Sequence, residues 1–241
     1  MLYSYSVALG LGVLGGLGLT AWLARTRPAP RWFDSYLLVL AAALAGGRLA
    51  FVLLNWPYFE IQPAEAWQIW RGGLSYYGAL PAGLAALWLW TRGQQRPFTR
   101  YADLLAPALA LVSAAGWVAC YLEGCAYGRE TVLGPLAANL PDAYGLFAVR
   151  YQTQVIGMTG ALAVLGLVLW LRRRRSKGAH LWLTLGALSL VRLATSLLRD
   201  DPFPTVAGLR LDSLFESAVA LSCLLLLQLY LRHQRSIFRT G

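Results

Sequence analysis

Three charged side chains sit inside otherwise apolar stretches of this 241-residue sequence: Arg48 in AGGRLAFV, Arg192 in LSLVRLAT and Glu216 in SLFESAV. An ionised group in an apolar span costs at least about 2.5 kcal/mol unless it is paired or hydrated, so each needs a reason to be there. One use is an internal ion pair between Glu216 and one arginine, locking helices together. Two arginines and one carboxylate leave a cation over, however, and a planar guanidinium fork suits a phosphate. Binding an anionic headgroup is the second use, and both stay open at this point. Near them stands RGGLSYYGAL, residues 71–80, where two glycines, Ser75, Tyr76 and Tyr77 open an apolar run. A phenol ionises near pH 10, so Tyr77 acts as a base only where its surroundings shift it strongly.

The elements that must position these groups are membrane helices. Apolar residues make up 58% of the chain and charged residues 13%, with a mean hydropathy of +0.52. Apolar runs near 3–24, 34–54, 74–91, 103–121, 152–171, 180–198 and 211–232 approach the ~20 residues that span a bilayer. Strand alternation is absent, and in lipid only helices then satisfy the backbone. The first run lacks a basic leader and is long for a signal peptide, so it is read as a helix. The expectation is an all-α integral membrane protein of about seven transmembrane helices, forming a single membrane domain over residues 1–241.

The net charge of +10 marks topology rather than nucleic-acid binding. Arg25, Arg27, Arg31, Arg92, Arg96, Arg100, Arg172, Arg173, Arg174, Arg175, Lys177, Arg232, Arg235 and Arg239 follow odd-numbered runs. The even connections hold only Arg71, Arg129, Arg150, Arg199 and Arg210. The positive-inside rule then places the N-terminus outside and the C-terminus in the cytoplasm. The run RRRRSK, residues 172–177, suits anionic headgroups. Under this topology Tyr5, Arg48, Ser75, Tyr77, Cys120 and Arg192 fall at one level, toward the outer side. Six positions from five of the runs predict a polar cavity there.

Other features carry packing or surface roles. Gly12 and Gly16 form a small-residue motif for close helix contact, and Gly46 and Gly47 are read the same way. Cys120 and Cys125 lie where a disulfide could form, whereas Cys223 sits among leucines as packing. His180 and His233 flank basic clusters and are expected at the surface. So few histidines and cysteines offer no ligand set for a metal. The segment 55–73 alternates aromatic and acidic residues, and its tryptophans suit the membrane interface.

These motifs resemble, in order, those of the prolipoprotein diacylglyceryl transferase family. GGLSYYG resembles G-G-L-S-F-H-G-G, and SYS around Tyr5 resembles the tyrosine-bearing start of the first helix. AGGRLAFVLLN resembles the G-A-R-L segment. CYLEGCAYGRET is similar to G-C-F-x-x-G-C-C-Y-G-[RK]-P-T, RYQTQ to R-x-P-T-Q, and RLATSLLRDD to R-F-x-x-E-x-x-R. The resemblance implies a multi-pass enzyme of the bacterial plasma (inner) membrane. It would move diacylglyceryl from phosphatidylglycerol to the lipobox cysteine of a preprolipoprotein, with no metal or cofactor. The thiolate attacks, and cations hold the phosphate that leaves.

Carried over residue by residue, the resemblance implies catalytic roles for Tyr77 and Arg192, and substrate binding by Tyr5, Arg48, Gly73, Ser75, Gly124 and Arg129. The sequence also departs from the family pattern. Tyr77 replaces a histidine, Trp117 an arginine, Cys120 an asparagine and Ser196 a glutamate, while Gly157 stands where a Tyr-Glu pair is common. With the usual base lost, an alternative reading is a catalytically silent member, acting as a lipid-binding or structural subunit of a larger membrane complex.

Overall fold

The computed structural model describes residues 4–132, 134–142, 144–172 and 178–240. Arg173, Arg174, Arg175 and Lys177, expected at headgroups, lie outside the described residues. Seven long helices are present among them: α1 (Ser4–Thr26), α2 (Trp32–Leu54), α4 (Tyr76–Gly93), α5 (Phe98–Glu123), α6 (Thr153–Leu171), α7 (His180–Ser196) and α8 (Leu211–Thr240). A short α3 (Trp56–Ile61) and two 3-10 turns (Pro63–Trp67, Ile69–Arg71) join α2 to α4. Five helices, α1, α2, α5, α6 and the Leu211–Tyr230 part of α8, are long and apolar enough to cross a membrane. α7, with 17 residues, is about 26 Å long, slightly short of the ~30 Å hydrocarbon core.

The helices fold back and forth, so their ends form two polar layers. In one layer Ser4 Oγ donates to Glu123 Oε1 at 2.9 Å, which brings the start of α1 to the end of α5. In the other, Arg27 after α1 donates to the carbonyl of Arg172 after α6 at 2.5 Å. Small residues set the helix contacts, as the sequence implied. A Cβ on Gly12 would lie 2.2 Å from Ala115 Cβ across the α1–α5 contact, and one on Gly46 2.3 Å from Ala82 Cβ across α2–α4. α5 is the central helix, burying Tyr101, Leu104, Ala106, Ala110, Ala114 and Trp117. Outward-facing Leu11, Leu14, Leu49 and Leu53 are each at least 60% exposed, an apolar exterior suited to lipid.

His180 corrects one expectation, because it is buried rather than at the surface. Its Nδ1 lies 3.3 Å from Asp103 Oδ2. Asp103 on α5 also accepts the amides of Gly178, His180 and Leu181, at 2.5, 3.1 and 3.2 Å. One carboxylate thus caps the start of α7 from a neighbouring helix, satisfying amides that lack partners within it.

The first polar layer also holds two hairpins that interrupt the all-helical pattern. β1 (Ala137–Pro141) pairs antiparallel with β2 (Phe147–Tyr151), and β3 (Thr205–Val206) with β4 (Leu209–Arg210). Asp142 closes the larger hairpin by accepting the amides of Tyr144 and Leu146. Arg150, on β2, is 5% exposed and pairs with Glu130 at 3.1 Å and Asp142 at 3.4 Å. Arg199, Arg210, Asp201 and Asp212 form a second ion network over the smaller hairpin.

Candidate functional site

A cavity of about 280 Å³ lies among α1, α2, α4 and α5, with Arg192 of α7 on its wall. Its lining is mainly apolar, from Leu40, Leu44, Leu84 and Leu109. The polar groups it gathers are Tyr5, Tyr36, Ser75, Tyr76, Ser113 and Arg192. Tyr5, Ser75 and Arg192 were expected from sequence, and the structure brings all three to one cavity. Such a chamber, mainly apolar with a few polar groups on its wall, has the character of a site for an amphiphile.

Arg192 is held by its faces. Its guanidinium carbon stacks 3.7 Å from the centre of the Tyr76 ring and 5.6 Å from that of Trp117. The stacking attracts the cation without occupying its in-plane N–H donors. The buried Nε makes no hydrogen bond, and among the described residues no carboxylate stands within ion-pair distance. Glu216, 1% exposed, lies beside Ser189 and within the electrostatic reach of Arg192 but forms no direct ion pair with it. Ser75 Oγ and Tyr76 Oη are also buried and unpartnered. Such groups are rare in a folded interior, because each costs about 1–3 kcal/mol. Their concentration around Arg192 marks the region as one built for a polar ligand.

Arg48 has a different place. Its Nε donates to Ala66 O at 2.8 Å, Nη1 to Gly72 O at 2.6 Å and Gly73 O at 3.1 Å, and Nη2 to Glu65 O at 2.6 Å. Its ring neighbours are Phe51 and Phe59, at 5.6 and 5.4 Å. With these donors spent on backbone, Arg48 fastens the segment 65–73 that leads into α4. Gly73, at φ +77°, belongs to the same clamp, since a Cβ there would come within 2.5 Å of Phe51 and 2.8 Å of Arg48 Nη1.

The remaining sequence candidates lie beside the cavity rather than on it. Tyr77 packs edge-on against Phe203 and Phe215, at 5.5 and 5.0 Å. Gly124 takes φ +70° and ends α5, and Arg129 is exposed over the Tyr151 ring at 5.7 Å. Cys120 and Cys125 are bridged by a disulfide that closes the turn after α5. Tyr76, which sequence spacing alone does not single out, lines the cavity. Tyr76, Leu80, Gly83 and Leu87 follow one helical face onto the cavity, and Tyr77 lies about 100° further round.

Comparison with known proteins identifies the group to which this architecture belongs. Residues 1–231 match the prolipoprotein diacylglyceryl transferase family. The chain belongs to that family. Similar proteins include the phosphatidylglycerol–prolipoprotein diacylglyceryl transferase of Cupriavidus pinatubonensis, 32% identical over 70% of this chain and 66% of the relative. That of Parasynechococcus marenigrum is 33% identical over 91% and 80%, and enzyme 2 of Clostridium perfringens 27% over 90% and 86%. The positions where the sequence was expected to depart from the prolipoprotein diacylglyceryl transferase family pattern make definite local contacts. Trp117 forms one wall of the Arg192 cradle. Gly157 makes room for it, since a Cβ there would lie 2.2 Å from the Trp117 ring. Ser196 meets Ser213 Oγ of α8 at 2.9 Å. Among the described residues no group of three or more metal-ligating side chains is found.

Proposed function

We propose that this protein transfers the diacylglyceryl group of phosphatidylglycerol to the cysteine thiol of a prolipoprotein. The observation that carries the reading is the Arg192 guanidinium, stacked by Tyr76 and Trp117 on the wall of an otherwise apolar cavity with its Nε unpartnered. An acyl chain suits the leucine-lined part, and a phosphodiester suits the free edge of Arg192. In the transfer a C–S bond forms as the glycerol C–O bond to phosphate breaks. Glycerol phosphate leaves, and the thiol proton passes to a base. Cationic stabilisation of the departing phosphate is the protein's main contribution, and it needs no metal. Tyr5 and Ser75 are proposed to bind the substrate beside Arg192. Arg48, Gly73 and Gly124 support the site through the backbone they hold. Tyr76 is the phenol on the cavity wall, beside Tyr77 at 5.8 Å, with Glu216 as the nearby carboxylate.

The setting proposed is the bacterial plasma membrane, with about seven helices crossing it as one domain, the N-terminus outside and the C-terminus in the cytoplasm. The clustering of Arg25, Arg27, Arg31, Arg92, Arg96, Arg100 and Arg172 at one polar layer supports that orientation. The acceptors are then the signal peptides of preprolipoproteins, with Arg129 at the outer rim.

A second reading is favoured by Tyr77, which stands at the family's histidine position yet packs against Phe203 and Phe215. It is a silent member that binds lipid as a subunit of a larger membrane complex. One experiment separates the two. Purified protein is incubated with phosphatidylglycerol and a lipobox peptide, and the cysteine is examined by mass spectrometry. The transferase reading expects a diacylglyceryl mass gain that Arg192→Ala abolishes. Retained lipid with no gain in mass refutes the transferase and leaves the silent member.

A further inference from the structure

A second site lies at the opposite polar layer from Arg192. Tyr5 and Arg27 are 22 residues apart along α1, about 33 Å at helical rise, so the two regions are separated by roughly the thickness of a bilayer core. There a cavity of about 600 Å³ opens among the end of α1, the start of α5 and the end of α6, with Arg27, Arg100 and Arg172 on its wall. A neighbouring groove of about 510 Å³ shares Arg27 and Arg172 and continues between α1 and α6, past Trp22, Leu169 and Trp170. The two hollows thus meet at a pair of arginines, one basic and the other largely apolar.

The charges at the junction are unbalanced. Each guanidinium carries five N–H donors. Arg27 gives one to the carbonyl of Arg172, Arg172 one to that of Asp103, and Arg100 one to that of Pro28. Among the described residues no carboxylate lies within ion-pair distance of any of the three. The acid on the wall is Asp103, and its oxygens are committed to the amides of Gly178, His180 and Leu181 at the start of α7. Arg172 is nevertheless only 7% exposed. Burial, and then the nearby charge of Arg27, push its pKa down to about 10, with the charge of Asp103 offsetting part of that. A buried cation with further cations beside it is stabilised by an anion, and a phosphate accepts from several guanidinium edges at once.

We propose that this layer binds one anionic phospholipid, its phosphate held by Arg27, Arg100 and Arg172 and its glycerol and chains laid in the α1–α6 groove. The groove selects a lipid over a free phosphate. Trp22 and Trp170, 58% and 53% exposed, flank it on the outward surface, as amphipathic rings do at headgroup depth. The site is separate from the transfer cavity and does not depend on transfer.

The test uses the full chain in nanodiscs carrying a trace of photoreactive phosphatidylglycerol, with adducts mapped by peptide mass spectrometry. Adducts are expected within 22–27 and 166–172, in the wild type and in Arg192→Ala alike. In Arg27→Gln/Arg100→Gln, at two exposed side chains, those adducts fall at least about tenfold, because two charge-assisted contacts are lost. The single variant Arg100→Gln shows a smaller fall of the same kind, so the expectation does not hang on one double mutant. Equal labelling by a photoreactive phosphatidylcholine, or labelling unchanged in these variants, overturns the proposal. So does loss of the adducts on adding inorganic phosphate alone, which would assign the site to a soluble anion.

Discussion

Replacing Arg48 with alanine decides whether that arginine is a phosphate ligand or a clamp. The four hydrogen bonds it makes, to Glu65, Ala66, Gly72 and Gly73, all reach half-buried backbone. A hydrogen bond to a charged group is worth about 1.5–3 kcal/mol net, and water replaces each lost partner only in part. Non-additivity brings the total well below four such terms, to about 3 kcal/mol for ordering residues 65–75. Since 1.4 kcal/mol is a factor of ten, local opening of this segment should rise roughly 100-fold. Hydrogen exchange reads this directly at the amide of Ser75, bonded to Gly47 O at 2.9 Å, and that of Gly72, bonded to Ile69 O at 3.2 Å. Arg48→Lys should rescue little, because an ammonium cannot span carbonyls on three sides. Unchanged exchange together with a large loss of phosphatidylglycerol affinity would refute the clamp and restore Arg48 as a headgroup ligand.

Three further outcomes test other parts of the structure. Gly157→Ala places a methyl within the Trp117 ring, so thermal unfolding should show a loss of about 2 kcal/mol, and the companion change Trp117→Leu should return part of it. Tyr76→Phe should cut the transfer rate about 100-fold in the peptide assay while Tyr77→Phe changes it little; the reverse order would move the reactive phenol to Tyr77. Asp142 is held below the usual carboxylate range, first by the Leu146 amide, then against some desolvation by the Tyr144 amide and Arg150. A depressed folded pKa stabilises the hairpin above the ordinary carboxylate pKa of ~3.9 and is lost as pH falls through the folded value. Exchange at the Tyr144 and Leu146 amides should therefore accelerate in acid, whereas Asp142→Asn should remove that pH step.

Much of this was legible in the sequence because membrane helices announce themselves by length and polarity. The long helices fall on the apolar runs, and the glycine pairs at 12 and 16 and at 46 sit at the close contacts expected of them. Side-chain direction was less accessible. Arg48 and Arg192 are both charged residues within apolar stretches, and nothing in either neighbourhood reveals that the first turns to the backbone of a loop 17–25 residues away. The hairpin at 137–151 was hidden for a related reason. Its register depends on the Asp142 turn and on Arg150 pairing with Glu130 and Asp142, which a short, irregular sequence does not display. His180 was misplaced because a basic neighbourhood suggests solvent, while its partner Asp103 is 77 residues distant.

Trp117 and Gly157 bear on how the site holds its cation. An arginine at 117 would stand beside Arg192 and repel it, and a side chain at 157 would occupy the space the indole now fills. With tryptophan and glycine together, Arg192 has the Trp117 ring as a second aromatic neighbour in addition to Tyr76, and no further cation at position 117. Its donors remain in plane and unspent, which is the property a departing phosphate uses. The two positions are therefore coupled through Arg192, and changing either alone should cost more than changing both.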